Sequence, residues 1–298
     1  MKQLFYKLIY LPTFNFVLRN LNKLLYPLLP KQITLPPSGV ITINVENKPL
    51  KLLTNQTNYL TQLVFWNGYQ NFEYTPIFTD LIKNINCFFD IGANIGYYSL
   101  LAAHLNPKMT IIAFEPAAGP LHYLKENVRK NQFNNIKIEG LALSDKLGEI
   151  TFYTVESEKY HFIKHNLAGE GNAGSKTTER NFVKNIVTST TLSTYIEQNQ
   201  VGAIDLIKID TEGTEHIILG NGREVLEDHK PIIICETLFD KIENQLDDLL
   251  SSYGYEFYNH VSGGLQQVET IKRNQDNGVT NCFFVHPDKK KLIEPYII

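Results

Sequence analysis

The 298-residue sequence predicts an α/β fold, a Rossmann-like, doubly wound and mostly parallel sheet, on three observations. Apolar strand-like runs alternate with helix-spaced segments from about residue 80 to the end of the chain, the alternation that builds a parallel sheet covered on both faces. The first of these runs breaks on a glycine turn directly into a helix, and several of the runs end in an acid, which collects carboxylates at one edge of the sheet.

The elements follow in order. Residues 1–45 carry Lys2, Lys7, Arg19, Lys23 and Lys31 and no Asp or Glu. Apolar and aromatic residues are interleaved with these cations, but Pro12 and the charges keep every uncharged run well below the roughly 20 residues that span a bilayer. Lys7 interrupts the apolar stretch and no A-x-A-like site follows, so the segment does not read as a signal peptide. Two readings stay open for residues 1–30: helices packed over the domain, or an amphipathic element making peripheral contact with an anionic membrane surface.

After the proline-rich LPKQITLPPSG, the segment VITINVENKPLKLLT alternates on either side of Glu46-Asn47-Lys48-Pro49 and predicts a β-hairpin. An aromatic-rich helical stretch then leads to a boundary near residue 80, dividing an N-terminal extension (1–80) from the main domain (81–298). There NCFFDIG predicts a strand, YYSLLAAHL a helix, MTIIAFEP a strand, AAGPLHYLKENVRKNQ a helix and NNIKIEGLALSD a third strand. GEITFYT reads as a strand, followed by a long polar loop over about 156–184, a length at which loops are usually functional or disordered. The helical TTLSTYIEQNQ, the strand IDLIKIDTEG, the helix-like EHIILGNGREVLED, the strand KPIIICET and the helix FDKIENQLDDLLSSYG come next, with YEFYNHV and NCFFVH as final strands.

Composition narrows the function. A hydrophobic share of 43%, a charged share of 20% and a net charge of -3 describe an ordinary globule and disfavour a nucleic-acid binder. Cys87, Cys235 and Cys282 lie in apolar runs without metal-ligand or disulfide spacing, and they fit a reducing, cytoplasmic setting.

The chemistry sits in the strand ends. In Asp90-Ile91-Gly92-Ala93-Asn94-Ile95-Gly96 the glycines let the backbone turn sharply under a ligand, and the following helix start presents amides to it. A dinucleotide site would show G-x-G-x-x-G. Here Asn94 occupies the second glycine position and Asp90 offers a carboxylate, a combination that suits an amino-acid moiety with its ammonium group better than a pyrophosphate. Glu115, with Pro116 behind it, ends the second strand where an acid accepts the hydroxyls of a ribose. Leu141, Ala142, Leu143, Ser144 and Asp145 are placed to wall an adenine. Together these expect an adenosyl amino acid, with Asp90, Gly92, Ala93, Asn94, Gly96, Glu115, Pro116, Ala142, Leu143 and Ser144 as its binding residues.

The fourth strand ends in Lys208-Ile209-Asp210-Thr211-Glu212-Gly213-Thr214-Glu215 and the fifth in Glu236. Like charges crowded at one edge cost energy, which is a sign of function. Asp210, Glu212 and Glu236 are candidate bases with Lys208 as counter-charge, while Glu212 and Glu215 also suit a helix N-terminus. The same acids are of the type that holds Mg2+, a second reading and not the favoured one. The histidines are scattered and support no transition metal, and His260 is a weaker alternative base.

These residues resemble the FkbM family of S-adenosylmethionine-dependent methyltransferases. The likeness rests on FFDIGANIGYYSLLAA (Phe88 to Ala103), AFEP (Ala113 to Pro116), LALSD (Leu141 to Asp145), TTLSTYI and IKIDTEGTE (Ile207 to Glu215), and covers about Trp66 to Val285. It implies the class I methyltransferase type of fold, the methionine part of S-adenosylmethionine on Asp90, Gly92, Asn94 and Gly96, the ribose on Glu115, and O-methylation of a small molecule, sugar or glycolipid. TLST (Thr191 to Thr194) departs from the T-L-D-D often found in the family. The competing readings are a nicotinamide-dependent oxidoreductase, against which Asn94 counts, and a non-catalytic adapter held at a membrane by the basic N-terminus.

Overall fold

The computed structural model describes residues 2–28, 33–157, 159–167 and 182–298. Two helices, α1 (Lys2–Ile9) and α2 (Pro12–Leu25), precede the hairpin β1 (Gly39–Val45) and β2 (Lys48–Thr54). The hairpin turns on Glu46 and Asn47 alone, both at positive φ (47° and 65°), the geometry of a two-residue type I′ turn. Lys48 and Pro49 already belong to β2, so the turn is tighter than the four residues expected. The aromatic-rich stretch forms α3 (Tyr59–Asn67) and α4 (Thr75–Leu81).

The main sheet starts with β3 (Cys87–Ile91), α5 (Tyr97–Leu105), β4 (Thr110–Phe114), α6 (Ala118–Asn131) and β5 (Ile136–Glu139). A small sheet follows, from β6 (Ala142–Leu143), β7 (Gly148–Val155) and β8 (Phe182–Thr190). The chain then returns through α7 (Leu192–Asn199), β9 (Leu206–Ile209), α8 (Glu215–Gly220), β10 (Ile232–Glu236), α9 (Glu243–Ser252), β11 (Glu256–Val261), β12 (Gly264–Val268) and β13 (Asn281–Val285). The eight strands of the main sheet run in the order β12-β11-β13-β10-β9-β3-β4-β5. From β10 to β5 every neighbour is parallel, whereas β13 is antiparallel to both β10 and β11.

This is the α/β, mostly parallel, Rossmann-like sheet that the alternation predicts. One apolar layer packs the hairpin, α4 and α5 on one face, and a second packs α7, α8 and α9 on the other. The chain leaves β3 outward to β4 and β5 and then crosses back to β9, so the strand order reverses between β3 and β9. Ligands of such sheets bind beyond the carboxyl ends at that point.

Four further sequence expectations need correction. The third strand is not continuous: Gly140 packs against Leu121, where a Cβ would lie 2.8 Å from its Cδ2, and the chain leaves the main sheet there, β6 pairing with β8 instead. EHIILGNGREVLED divides into α8 and a single π-helical turn, Val225–His229, about Gly222. The irregular stretch ends before Phe182, since residues 182–184 start β8; residues 158 and 168–181 of the expected loop lie outside the described residues. Finally β12, a hairpin partner of β11, was not anticipated.

Candidate active site

Register places the reacting edge. Asp90 in β3 stands opposite Lys208 in β9 and Ala113 in β4, so the residues just beyond these strands gather in one row. The loop after β3 folds over β4, with the Gly92 and Ala93 amides both donating to the Phe114 carbonyl at 3.0 and 2.9 Å. Gly92 has φ +73°, and a Cβ there would lie 1.9 Å from the Asp210 carbonyl oxygen, so no other residue fits. Gly96, φ +88°, starts α5 against Leu124.

Asn94, φ 51°, gives its amide to Glu115 Oε2 at 2.8 Å, while its own Oδ1 accepts from the Ile95 amide and from Asn58 Nδ2 at 2.8 and 3.2 Å. Glu115 Oε1 accepts from the Ala117 amide at 2.8 Å. Each Glu115 oxygen therefore makes one backbone bond and retains a lone pair. The side chain is 6% exposed and lines the cavity, and burial pushes its carboxyl up to about 7 against the pull of those two amides.

Asp90, whose carboxylate the sequence offers to an ammonium group, is buried within the sheet. It is 1% exposed and does not line the cavity; its Oδ2 accepts from the Ser99 amide and hydroxyl at 3.1 and 2.6 Å, which ties α5 to β3. Its Oδ1 makes no hydrogen bond and lies 3.8 Å from Lys208 Nζ. Burial raises the Asp90 carboxyl, partly offset by Lys208 and Ser99. Lys208 donates to the Gly92 carbonyl at 2.9 Å and lies 3.4 Å from Asp210 Oδ2. Burial alone would discharge it, but Asp210 and Asp90 more than offset that and hold its pKa above the ordinary lysine value. Lys208 thus connects the glycine loop, the buried Asp90 and the cavity acids.

A cavity of about 520 Å³ opens over this row. Gly92, Ala93, Asn94, Glu115, Pro116, Ala142, Leu143, Lys208, Asp210, Glu212 and Glu236, expected from the sequence, all line it. Ser144 does not: its hydroxyl closes the following turn with the backbone of Lys146, and its amide donates to Thr190. Gly96 sits behind the wall, and His260 packs on Tyr74 and Phe283 outside it. Glu215 accepts from the Thr211 and Gly213 amides at 2.7 and 3.0 Å and shapes the loop after β9.

Carboxylate oxygens of Asp210, Glu212 and Glu236 lie within 4.8 Å of one another. Burial first, then the charges of Asp210, Glu212, Glu215 and Glu73, push Glu236 up to about 8. Glu73, which sequence reasoning missed, joins this cluster from the segment between α3 and α4 and accepts from Tyr98 OH at 3.3 Å. The protein around it pushes its carboxyl up to about 7, with Asp210 adding; water weakens this push, because Glu73 stays exposed at the cavity. One signal was available: Glu73 is the single acid between Glu46 and Asp80, set between Phe72 and Tyr74. Tyr97 and Tyr98 are core residues of the cavity wall, whereas Phe65 and Trp66 pack near Lys23 and Leu35, away from it.

The model of the methyltransferase FkbM domain matches residues 90–257, more than half of the chain. The chain belongs to the FkbM methyltransferase family. This FkbM-family chain is 31% identical over 178 residues to the 31-O-demethyl-FK506 methyltransferase FkbM of Streptomyces tacrolimicus, covering 51% of itself and 68% of that protein. It is 25% identical over 266 residues to the AMB antimetabolite synthetase AmbE of Pseudomonas aeruginosa, covering 78% of itself but only 12% of AmbE. Among solved structures it is similar to a methyltransferase FkbM from Methylobacillus flagellatus KT, at 16% identity and a TM-score of 0.43, over 67% of this chain and 43% of that one. The matched region excludes Glu73 and the α3 residues that complete the cavity.

Proposed function

We propose that this FkbM-family chain transfers the methyl group of S-adenosylmethionine to a hydroxyl of a small molecule, such as a sugar, glycolipid or other metabolite. The observation that carries the reading is Glu115, a buried carboxylate pinned at the tip of β4 by two backbone amides with an unused lone pair on each oxygen. That arrangement suits a vicinal diol, which donates two hydrogen bonds. Beside it, Leu141, Ala142 and Leu143 give an aliphatic wall for an adenine, and Ala93 and Asn94 line the cavity at the turn after β3. Asp90 is buried, holding α5 to β3 through Ser99 and facing Lys208.

When bound, S-adenosylmethionine supplies a methyl group on a positively charged sulfur, which an acceptor oxygen displaces. The cavity meets that charge with Asp210, Glu212, Glu236 and Glu73 against one lysine. As the C–O bond forms and the C–S bond breaks, the acceptor's proton must go to a base. Glu236, pushed to about 8, has a basicity near working pH and is our assignment, with Asp210 as its neighbour and Lys208 holding Asp210 in place. The name of the Streptomyces relative specifies an O-demethyl substrate, which favours an oxygen acceptor here. Family membership counts against the nicotinamide-dependent reading.

Titration calorimetry and a labelled-donor assay test this. Glu115→Gln, which removes one acceptor and the charge, should weaken S-adenosylmethionine binding by about 1–2 kcal/mol, or roughly 5- to 30-fold. Glu236→Gln should still bind the donor, at the affinity the wild type shows at low pH, and cut turnover by about 100-fold or more, and it should remove the rise of activity with pH between about 7 and 8. No heat from the donor at millimolar concentration would end the reading. The spacing of Asp210, Glu212 and Glu236 also suits a Mg2+ ion; activity lost in EDTA and restored by Mg2+ would reassign the three acids as ligands.

A further inference from the structure

Helix α2 faces the protein with its polar stripe. Asn15, Arg19 and Asn22 recur at helical spacing, and Asn15 and Arg19 are buried although, among the described residues, no acid pairs with the guanidinium. Arg19 instead donates to the Ser38 and Val40 carbonyls at 2.8 and 2.6 Å and to Asn15 Oδ1 at 3.1 Å. Asn15 Oδ1 also accepts from the Ser38 amide, and Asn22 accepts from the Leu35 amide and donates to the Ile33 carbonyl. With the polar face fastened to backbone in this way, the apolar face points outward. Phe16, Leu21 and Leu24 of α2, and Leu4, Phe5 and Leu8 of α1, are all at least half exposed, Leu24 reaching 74%.

An ordinary surface helix does the reverse. Helix α1, which has no buried residue, adds Leu4, Phe5 and Leu8 beside the outward face of α2, and together they make a broad apolar surface of the kind that marks an interaction site. Lys2, Lys7 and Lys23 are exposed on the same helices, and no acid occurs before Glu46. A second copy meeting this patch through a two-fold axis would set lysines against lysines. Neither helix, at 8 and 14 residues, can cross a bilayer, but each can lie in its interface with leucines down and lysines at the headgroups.

We propose that α1 and α2 form a docking surface for the headgroup region of an anionic phospholipid bilayer. The surface reaches the cavity. Tyr160 packs edge-on against Tyr6 and Tyr10, with centroids 5.5 and 5.4 Å apart, and Gln3 donates to the Lys159 carbonyl, while Asn166 and Leu167 of the same segment line the cavity wall. Docking would set the site beside the membrane and favour acceptors that partition there.

Co-sedimentation of the full chain with phosphatidylcholine vesicles, with and without about one-third phosphatidylglycerol, tests this. The chain should bind the anionic vesicles at least about tenfold more tightly than the neutral ones and lose that preference in high salt. Phe5→Gln/Leu24→Gln should reduce binding about tenfold or more with an unchanged melting temperature, since both side chains are exposed. Lys2→Gln/Lys7→Gln should reduce only the anionic preference. Equal binding to both vesicle types, or no binding to either, overturns the proposal, as does a dimer in light scattering that the Phe5→Gln/Leu24→Gln variant dissociates.

Discussion

Gly92 and Gly213 both have positive φ, +73° and +110°, and both lie in loops that follow central strands, yet the two positions differ in what surrounds them. A Cβ on Gly92 would overlap the Asp210 carbonyl, a backbone atom that cannot swing aside, and the same loop carries the Lys208 contact and the amide bound to Glu115. At Gly213 nothing lies within 4 Å. Gly92→Ala should therefore cost about 3 kcal/mol or more, through strain plus the displacement of β3 from β9. Gly213→Ala should cost about 1–2 kcal/mol, the conformational strain alone. Urea unfolding checks the order; equal midpoints for the two variants would mean that the β3 loop can relax away from Asp210.

At the scale of elements, helix α2 depends on a few polar contacts, because its apolar face contributes little burial. Arg19→Ala leaves the Ser38 and Val40 carbonyls without their donor, a loss of about 1–3 kcal/mol. It should show as faster proteolysis within residues 2–28 while the main sheet stays folded. Periodicity could not reveal this orientation, since a helix shows the same spacing whichever face turns inward. Where both faces of an element are covered the sequence was easier to read: YYSLLAAHL became α5 residue for residue, and the acid-ended strands took their expected places. The break at Gly140 was hidden because apolar alternation continues through it into LALSD; only the packing of Leu121 against Gly140 and the pairing of β6 with β8 divert the chain. Asp90 was legible as important but not as buried, and Glu73 lay too far along the chain from the motif residues it joins.

At the scale of the whole molecule, the row of acids couples stability to ligand binding in opposite directions of pH. Glu115 and Glu236 have folded pKa values of about 7 and 8, above the ordinary value of 4.5. The folded chain thus holds protons that the unfolded chain releases. Their contribution to stability is complete below about pH 4.5 and is lost as the pH rises through 7 to 8, on the order of a few kcal/mol for the pair. Glu73, exposed at the cavity and screened by water, adds little. The melting temperature should accordingly fall between pH 5.5 and 8.5, and the fall should be smaller in Glu236→Gln, whose amide does not titrate. A cationic donor favours the deprotonated acids, so its affinity should rise over the same window, and binding at pH 7 should release protons. Calorimetry in two buffers of different ionisation enthalpy measures that release directly. A donor that binds with no proton release, or equally well at pH 6 and pH 8, would place its charge away from Glu236 and move the assigned base elsewhere in the cavity.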